Sequence, residues 1–273
     1  MDLFKVESGL FYLALAGYFI AMILYILLFV NKKESLNKRA KNVLLVSFAL
    51  HTLALITRGV NAGRIPLSNQ YEFATAFAWG IGLCFLIFEK KFNFALMGTF
   101  VSPILFLVIG YAAMTDKSIR PIMPALDSKW LAIHVSLAII SYGSFAVAAG
   151  ISAMYLASDR IFKKNFENLS LADKETLDMI SYKASAFGFL LLCLVMITGA
   201  IWAEAAWGRY WAFDPKETWS LITWIIYAIY LHLRKSKGLQ GRKAAIFSII
   251  GFASVIFTYI GVNTLLPSLH SYI

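Results

Sequence analysis

The sequence predicts an all-α, polytopic transmembrane helical bundle, and three observations carry that prediction. First, 60% of its 273 residues are hydrophobic and only 15% are charged, with a mean hydropathy of +0.71, far more apolar than an ordinary soluble domain. Second, apolar segments recur along the whole chain, each long enough to cross a hydrocarbon core about 30 Å thick as a helix. Third, these segments show no dyad alternation and are too long for tilted strands, which argues against a barrel.

Eight spans are expected, at about 8–30, 42–57, 72–88, 93–114, 130–157, 185–206, 218–233 and 244–265. The first lacks a basic leader and a small-residue cleavage site, so it reads as a retained span. The connections 31–41, 89–92, 158–184 and 234–243 hold 17 of the 25 Lys and Arg, with seven acids. Those connections therefore face the cytoplasm. The opposite connections and the termini balance eight cations with eight acids. The net charge of +10 is thus an orientation signal and argues against nucleic-acid binding. An even number of spans puts both termini on the periplasmic or lumenal side. No repeat or linker divides the chain, so residues 1–273 are expected to form a single membrane domain. Within the longest inner connection, Ser170, Asp173, Leu169, Leu177 and Ile180 suggest an interfacial helix. Cys84 and Cys193 stand alone in apolar segments and predict no disulfide.

Only four histidines occur. His134 lies just inside the outer end of the fifth span, and His270 just beyond the outer end of the eighth. His51 is near the middle of the second span, and His232 is at the inner end of the seventh. A lone membrane histidine usually serves a helix contact. His134 and His270, however, share a side and a depth, and a facing pair of neutral imidazoles saturates a haem iron.

Beside that pair, five of the seven tryptophans crowd into WAEAAWGRYWAFDPKETWSLITW, from Trp202 to Trp224. Interfacial anchoring explains Trp202, Trp219 or Trp224 one at a time. It does not explain Trp207, Tyr210 and Trp211 in a Gly-containing loop that ends in Asp214-Pro215-Lys216-Glu217. Pro215 suits the first turn of a helix, and Glu217 suits its positive end. The run reads as an outer ledge that offers aromatic faces to a large planar ligand. A second outer loop, TRGVNAGRIPLSNQYEF, brings Arg58 and Arg64 near Asn69 and Glu72. Those cations either pair with the chain's own carboxylates or receive a ligand's propionates.

The run WGRYWAFDPKETWSLITW closely resembles the "WWD" motif of haem-handling membrane proteins, in the variant of the CcsA/ResC subunits of the System II cytochrome c synthetase. GRIPLSNQYE, WLAIHVSL and LLPSLHSY resemble further segments of that family, so the likeness covers roughly residues 45–273. One departure is Phe213, which stands where the family commonly has Trp before Asp-Pro-Lys-Glu and so lacks an indole N–H.

The resemblance implies a haem site on the outer face of a bacterial plasma or thylakoid membrane. His134 and His270 would be its iron ligands and the reactive centre. Trp202, Trp207, Trp211, Asp214, Trp219 and Trp224 would be its binding surface. It also implies a second, transmembrane site at His232, completed by a companion subunit called CcsB or ResB, with His51 as the alternative within the chain. Trp219 and His232 are about 20 Å apart along one helix, so one haem cannot touch both. The implied substrates are reduced haem b and an apocytochrome c presenting CxxCH, and the implied product is a thioether-linked haem. Two other functions fit some of the residues. One is a haem exporter or chaperone without ligase activity. The other is a b-type electron carrier, to which a charged tryptophan loop would add nothing.

Overall fold

A computed structural model describes residues 3–94, 96–161 and 174–266, and everything regular in them is helical. The described residues fall in two compact units, the first within Met1–Ile119 and Ala157–Asp173, the second within Arg120–Leu156 and Lys174–Ile273.

In the first unit, α1 (Leu3–Asn31) and α2 (Glu34–Ala62) form a long antiparallel hairpin, followed by α3 (Gln70–Phe92) and α4 (Met97–Ala113). Close backbone approach is built on small residues. A Cβ at Gly17 would fall 2.2 Å from Ser47 Oγ, and one at Gly98 would fall 2.4 Å into the Tyr25 ring. The turn after α2 depends on Gly63, whose left-handed φ of 65° costs a glycine nothing. Asn69 then caps α3 by accepting a bond from Glu72 N at 2.8 Å, as N-cap residues do.

Charges inside this unit are paired. Arg58 is 1% exposed and binds Glu72 Oε1 through Nε at 3.1 Å and Glu7 Oε1 at 3.4 Å. It also donates to the carbonyls of Lys117 at 2.7 Å and Ser118 at 3.1 Å. Arg64 completes the cluster on Glu72 Oε2 at 2.7 Å. The open choice for these two arginines is thereby decided: both are engaged by the chain's own carboxylates. A buried guanidinium needs this many acceptors because its desolvation is otherwise uncompensated.

The second unit opens with a 3₁₀ turn (Pro124–Leu126) and contains α5 (Lys129–Ile161) as far as Leu156, α6 (Lys174–Trp207), α7 (Pro215–Ser236) and α8 (Gly241–Ile256). From α8 the chain passes through a π turn (Phe257–Gly261) into α9 (Val262–Leu265). The α5 and α6 backbones meet along a serine ladder: Ser141 Oγ donates to Gly188 O and Ser144 Oγ to Ala184 O, both at 2.8 Å. Ser152 and Ser181 hydroxyls meet at 2.7 Å. Small and hydroxylated residues do this in membranes, where apolar attraction between helices is absent.

Six of these helices, α1, α2, α3, α5, α6 and α8 continued to Leu265, are long and apolar enough to cross a membrane, while α4 is a shorter apolar helix of 17 residues. The interfacial helix expected around 169–180 is not a separate element where it is described. Leu177 and Ile180 are fully buried in the first turns of α6, a single helix of 34 residues. Asp178 ends the apolar stretch in the sequence, yet Arg234 Nη1 holds both its oxygens at 2.7 and 2.8 Å. The paired charge lets the helix run on. The residues of that connection between 162 and 173 lie outside the described ones.

Candidate functional site

The tryptophan-rich run closes the end of the second unit where α5 begins and α6 finishes. His134 sits in the second turn of α5, and its Nδ1 lies 2.9 Å from the carbonyl oxygen of Val195 on α6. A carbonyl only accepts, so Nδ1 carries the proton, and in the neutral ring Nε2 keeps the lone pair. Metal-binding histidines are oriented in this way by a backbone carbonyl.

The ring is also packed closely against α6. It stacks on Trp202 at 6.2 Å between centroids and 21° between planes. On the same stripe of α6, a Cβ at Gly199 would lie 2.7 Å from His134 Cε1. Val195, Gly199 and Trp202 follow i, i+4, i+7 spacing, so one helix face supplies the acceptor, the gap and the stacking partner. The sequence offered only Trp202 of these three. A glycine in a membrane helix, where a neighbour can approach closely, was the signal available for Gly199, while a carbonyl acceptor carries no residue-type signal at all.

Trp202 is 1% exposed, and its Nε1 donates to Ala125 O in the 3₁₀ turn at 2.9 Å. It therefore backs the histidine and does not offer an open face. Trp207 meets it edge-on at 4.8 Å and is itself partly exposed. Beyond Gly208, the loop carries Trp211, which lies edge-on to Phe213 at 6.1 Å. Phe213 is 78% exposed and sits at φ 57°, a left-handed conformation that costs a side-chain-bearing residue about 1–2 kcal/mol.

That bend is clamped from the helix that follows. Glu217 Oε2 accepts from Ala212 N at 2.8 Å and Asp214 N at 3.2 Å, and Asp214 Oδ1 accepts from Lys216 N at 3.0 Å. This is the capping box that starts α7. Asp214 thus serves as the N-cap. Burial of the Lys216 amine lowers its pKa from 10.5 to about 8 against the opposing pull of Asp214, and its Nζ reaches Asn263 Oδ1 at 3.4 Å.

Along α7 the remaining predicted residues separate. Trp219 lies 4.1 Å from Phe257 of the π turn. Trp224 is held apart from the loop by Phe189 at 5.6 Å and by an Nε1 bond to Cys193 Sγ at 3.2 Å. His232 is exposed on the last turns of α7. His51 lies in the first unit, fully buried, with Nδ1 3.2 Å from Tyr18 Oη. His270 falls outside the described residues. At the opposite end of the second unit from the loop, a cavity of about 670 Å³ opens between Tyr155, Lys174, Asp178, Tyr182, Arg234 and Gly241, with Arg234 already engaged by Asp178. Among the described residues no group of His, Cys, Asp and Glu is arranged to hold a bare metal ion. What the site offers is an oriented imidazole beside aromatic rings, which suits a planar group bearing its own metal.

The fold and this site define a polytopic membrane protein with an imidazole set against an aromatic ledge. Residues 67–270 match the family described as Cytochrome C assembly protein, and the chain belongs to that family. It is similar to the cytochrome c biogenesis protein CcsA of Guillardia theta, with 36% identity over 86% of this chain and 88% of the relative. It is 37% identical to the CcsA protein of Prochlorococcus marinus, over 89% of this chain and 87% of the relative. Among solved structures, Cytochrome c Heme Lyase CcmF superposes with a TM-score of 0.76 over 98% of this chain and 48% of that one, at 16% identity. That likeness shows a shared fold. The chain is an integral membrane protein of cytochrome c assembly.

Proposed function

We propose that this chain holds haem at the outer end of its second unit and presents it to apocytochrome c for thioether attachment. His134 supplies one iron ligand through Nε2, and His270 supplies the other. Trp207, Trp211 and Trp219 provide faces for the porphyrin, Trp202 fixes the His134 ring from behind, and Asp214 shapes the bend that carries the loop. Trp224, tied to Cys193, supports the same helix from within. The observation that carries this reading is the His134 Nδ1 to Val195 carbonyl bond with the stacked Trp202 behind it. That bond assigns the proton to Nδ1, so Nε2 is the nitrogen through which His134 would ligate iron.

The substrates are haem b with reduced iron and the CxxCH segment of an unfolded apocytochrome c. Each thiol S–H adds across a vinyl C=C: sulfur bonds to one carbon and hydrogen to the other, with no net oxidation. The chain contributes proximity and orientation, and two imidazoles close the iron to oxygen. The incoming CxxCH histidine replaces one of them and helps release the product. His232, exposed in this chain, forms half of an inner site that a CcsB/ResB-type companion completes. All eight spans cross, residues 1–273 act as one membrane domain, and both termini lie on the periplasmic or lumenal side.

Co-expression with a CxxCH apocytochrome, with and without the companion, tests the reading. Covalent haem on the apocytochrome, dependent on His134, is the expected product. Haem that co-purifies with the chain but never becomes attached favours export or carriage and contradicts ligation.

A further inference from the structure

The π turn of α8 lies against α7 at one aromatic contact. A π turn inside an α-helix widens one turn and leaves its backbone imperfectly bonded, and such turns concentrate at functional places. Here the widened turn carries Phe257, whose ring lies 4.1 Å from Trp219 at 45°. Thr258 of the same turn donates to Ser254 O at 2.8 Å and meets Thr223 Oγ1 of α7 at 3.3 Å. One turn later Asn263 meets Lys216 at 3.4 Å. Three contacts with Lys216, Trp219 and Thr223 therefore key the π turn and α9 to the first turns of α7.

Gly261 is the residue that lets the ring lie there. A Cβ at position 261 would fall 2.6, 2.8 and 2.9 Å from three atoms of the Phe257 ring. A Cβ there would force a shift of the ring, whose centroid lies 4.1 Å from that of Trp219. Trp219 and Phe257 are both partly exposed, so the pair is a braced surface with area left for a ligand.

We propose that Phe257 is a positioning residue of the aromatic ledge: seated over Gly261 by the π turn, it fixes the orientation of the Trp219 indole that faces the porphyrin. This rests on the reading of Trp219 as a haem-contacting residue. Phe257 acts through the indole and touches no reacting atom. An aromatic pair contributes beyond its buried area, so loss of the brace weakens haem binding by up to about tenfold.

The test uses the full chain labelled with 5-fluorotryptophan, its Trp219 resonance assigned through Trp219→Phe, with haem affinity read by titration. In Phe257→Leu and Gly261→Ala the Trp219 resonance shifts and the haem Kd rises, while Phe257→Tyr, which keeps the ring, restores both. A Trp219 resonance unmoved in both variants overturns the proposal whatever haem does. If Trp219→Ala weakens haem binding and Phe257→Leu leaves it unchanged, the brace is refuted and the site stands. If Trp219→Ala is also silent, the haem reading of Trp219 fails, and the proposal fails with it.

Discussion

His134 is held through Nδ1 by the Val195 carbonyl and stacked on Trp202, so changes around its ring have specific expected outcomes. Gly199→Leu keeps every polar partner yet drives a side chain into a ring whose Cε1 lies 2.7 Å from the added Cβ. It should abolish haem retention with His134 still in place, checked by the Soret band of the purified variant. Lys216 gives a pH signature. Its folded pKa of about 8 lies below its ordinary 10.5, so between those values the unfolded chain binds more protons than the folded one. Stability from this group therefore rises as pH climbs from about 8 to 10.5, and the slope vanishes below and above that window. The melting temperature in detergent should rise across it for the native chain and stay flat for Lys216→Met. At this scale the sequence singled out His134 by its expected depth and side, but it treated all five tryptophans as one surface. Trp202 is core, because its N–H finds Ala125 O, and interfacial and buried indoles look alike in a sequence.

Among the elements, the α5–α6 ladder and the α7 cap do the positioning. Replacing Ser141 and Ser144 together by Val removes two bonds to α6 carbonyls. Interhelical bonds of this kind average about 0.6 kcal/mol each, so the pair should cost about 1 kcal/mol and shift His134 relative to Val195. A lower midpoint in SDS titration together with a broadened Soret band would show both effects. Phe213→Gly relieves the left-handed bend and should stabilise the chain by up to about 1 kcal/mol, seen as a small rise in the same midpoint. Hydropathy marked the apolar segments well. It started α6 too late, at about 185 and not Lys174, because the Asp178–Arg234 pair that neutralises the break joins residues 56 positions apart. The π turn was equally hidden, since its five residues, FTYIG, have no composition that separates them from α-helix.

In the whole molecule, the cytochrome c assembly family was legible from the tryptophan-rich run and the segments that resemble CcsA/ResC. The buried electrostatic frame was only half legible, since Arg64 with Glu72 is local while Arg58 reaches Glu7 across 51 residues. Arg58→Met leaves Glu7 and Glu72 short of a partner inside the first unit and should destabilise the chain by about 3–5 kcal/mol, measured by thermal aggregation in detergent. The proposed function rests on ligation of one haem iron by His134 and His270. Its most direct test is the electronic absorption spectrum of haem bound to the purified chain, taken for the native protein and for the paired His134→Ala and His270→Ala replacement. A low-spin, six-coordinate spectrum is expected in the native chain, and its loss in the double variant. A low-spin spectrum that persists unchanged without both histidines contradicts it.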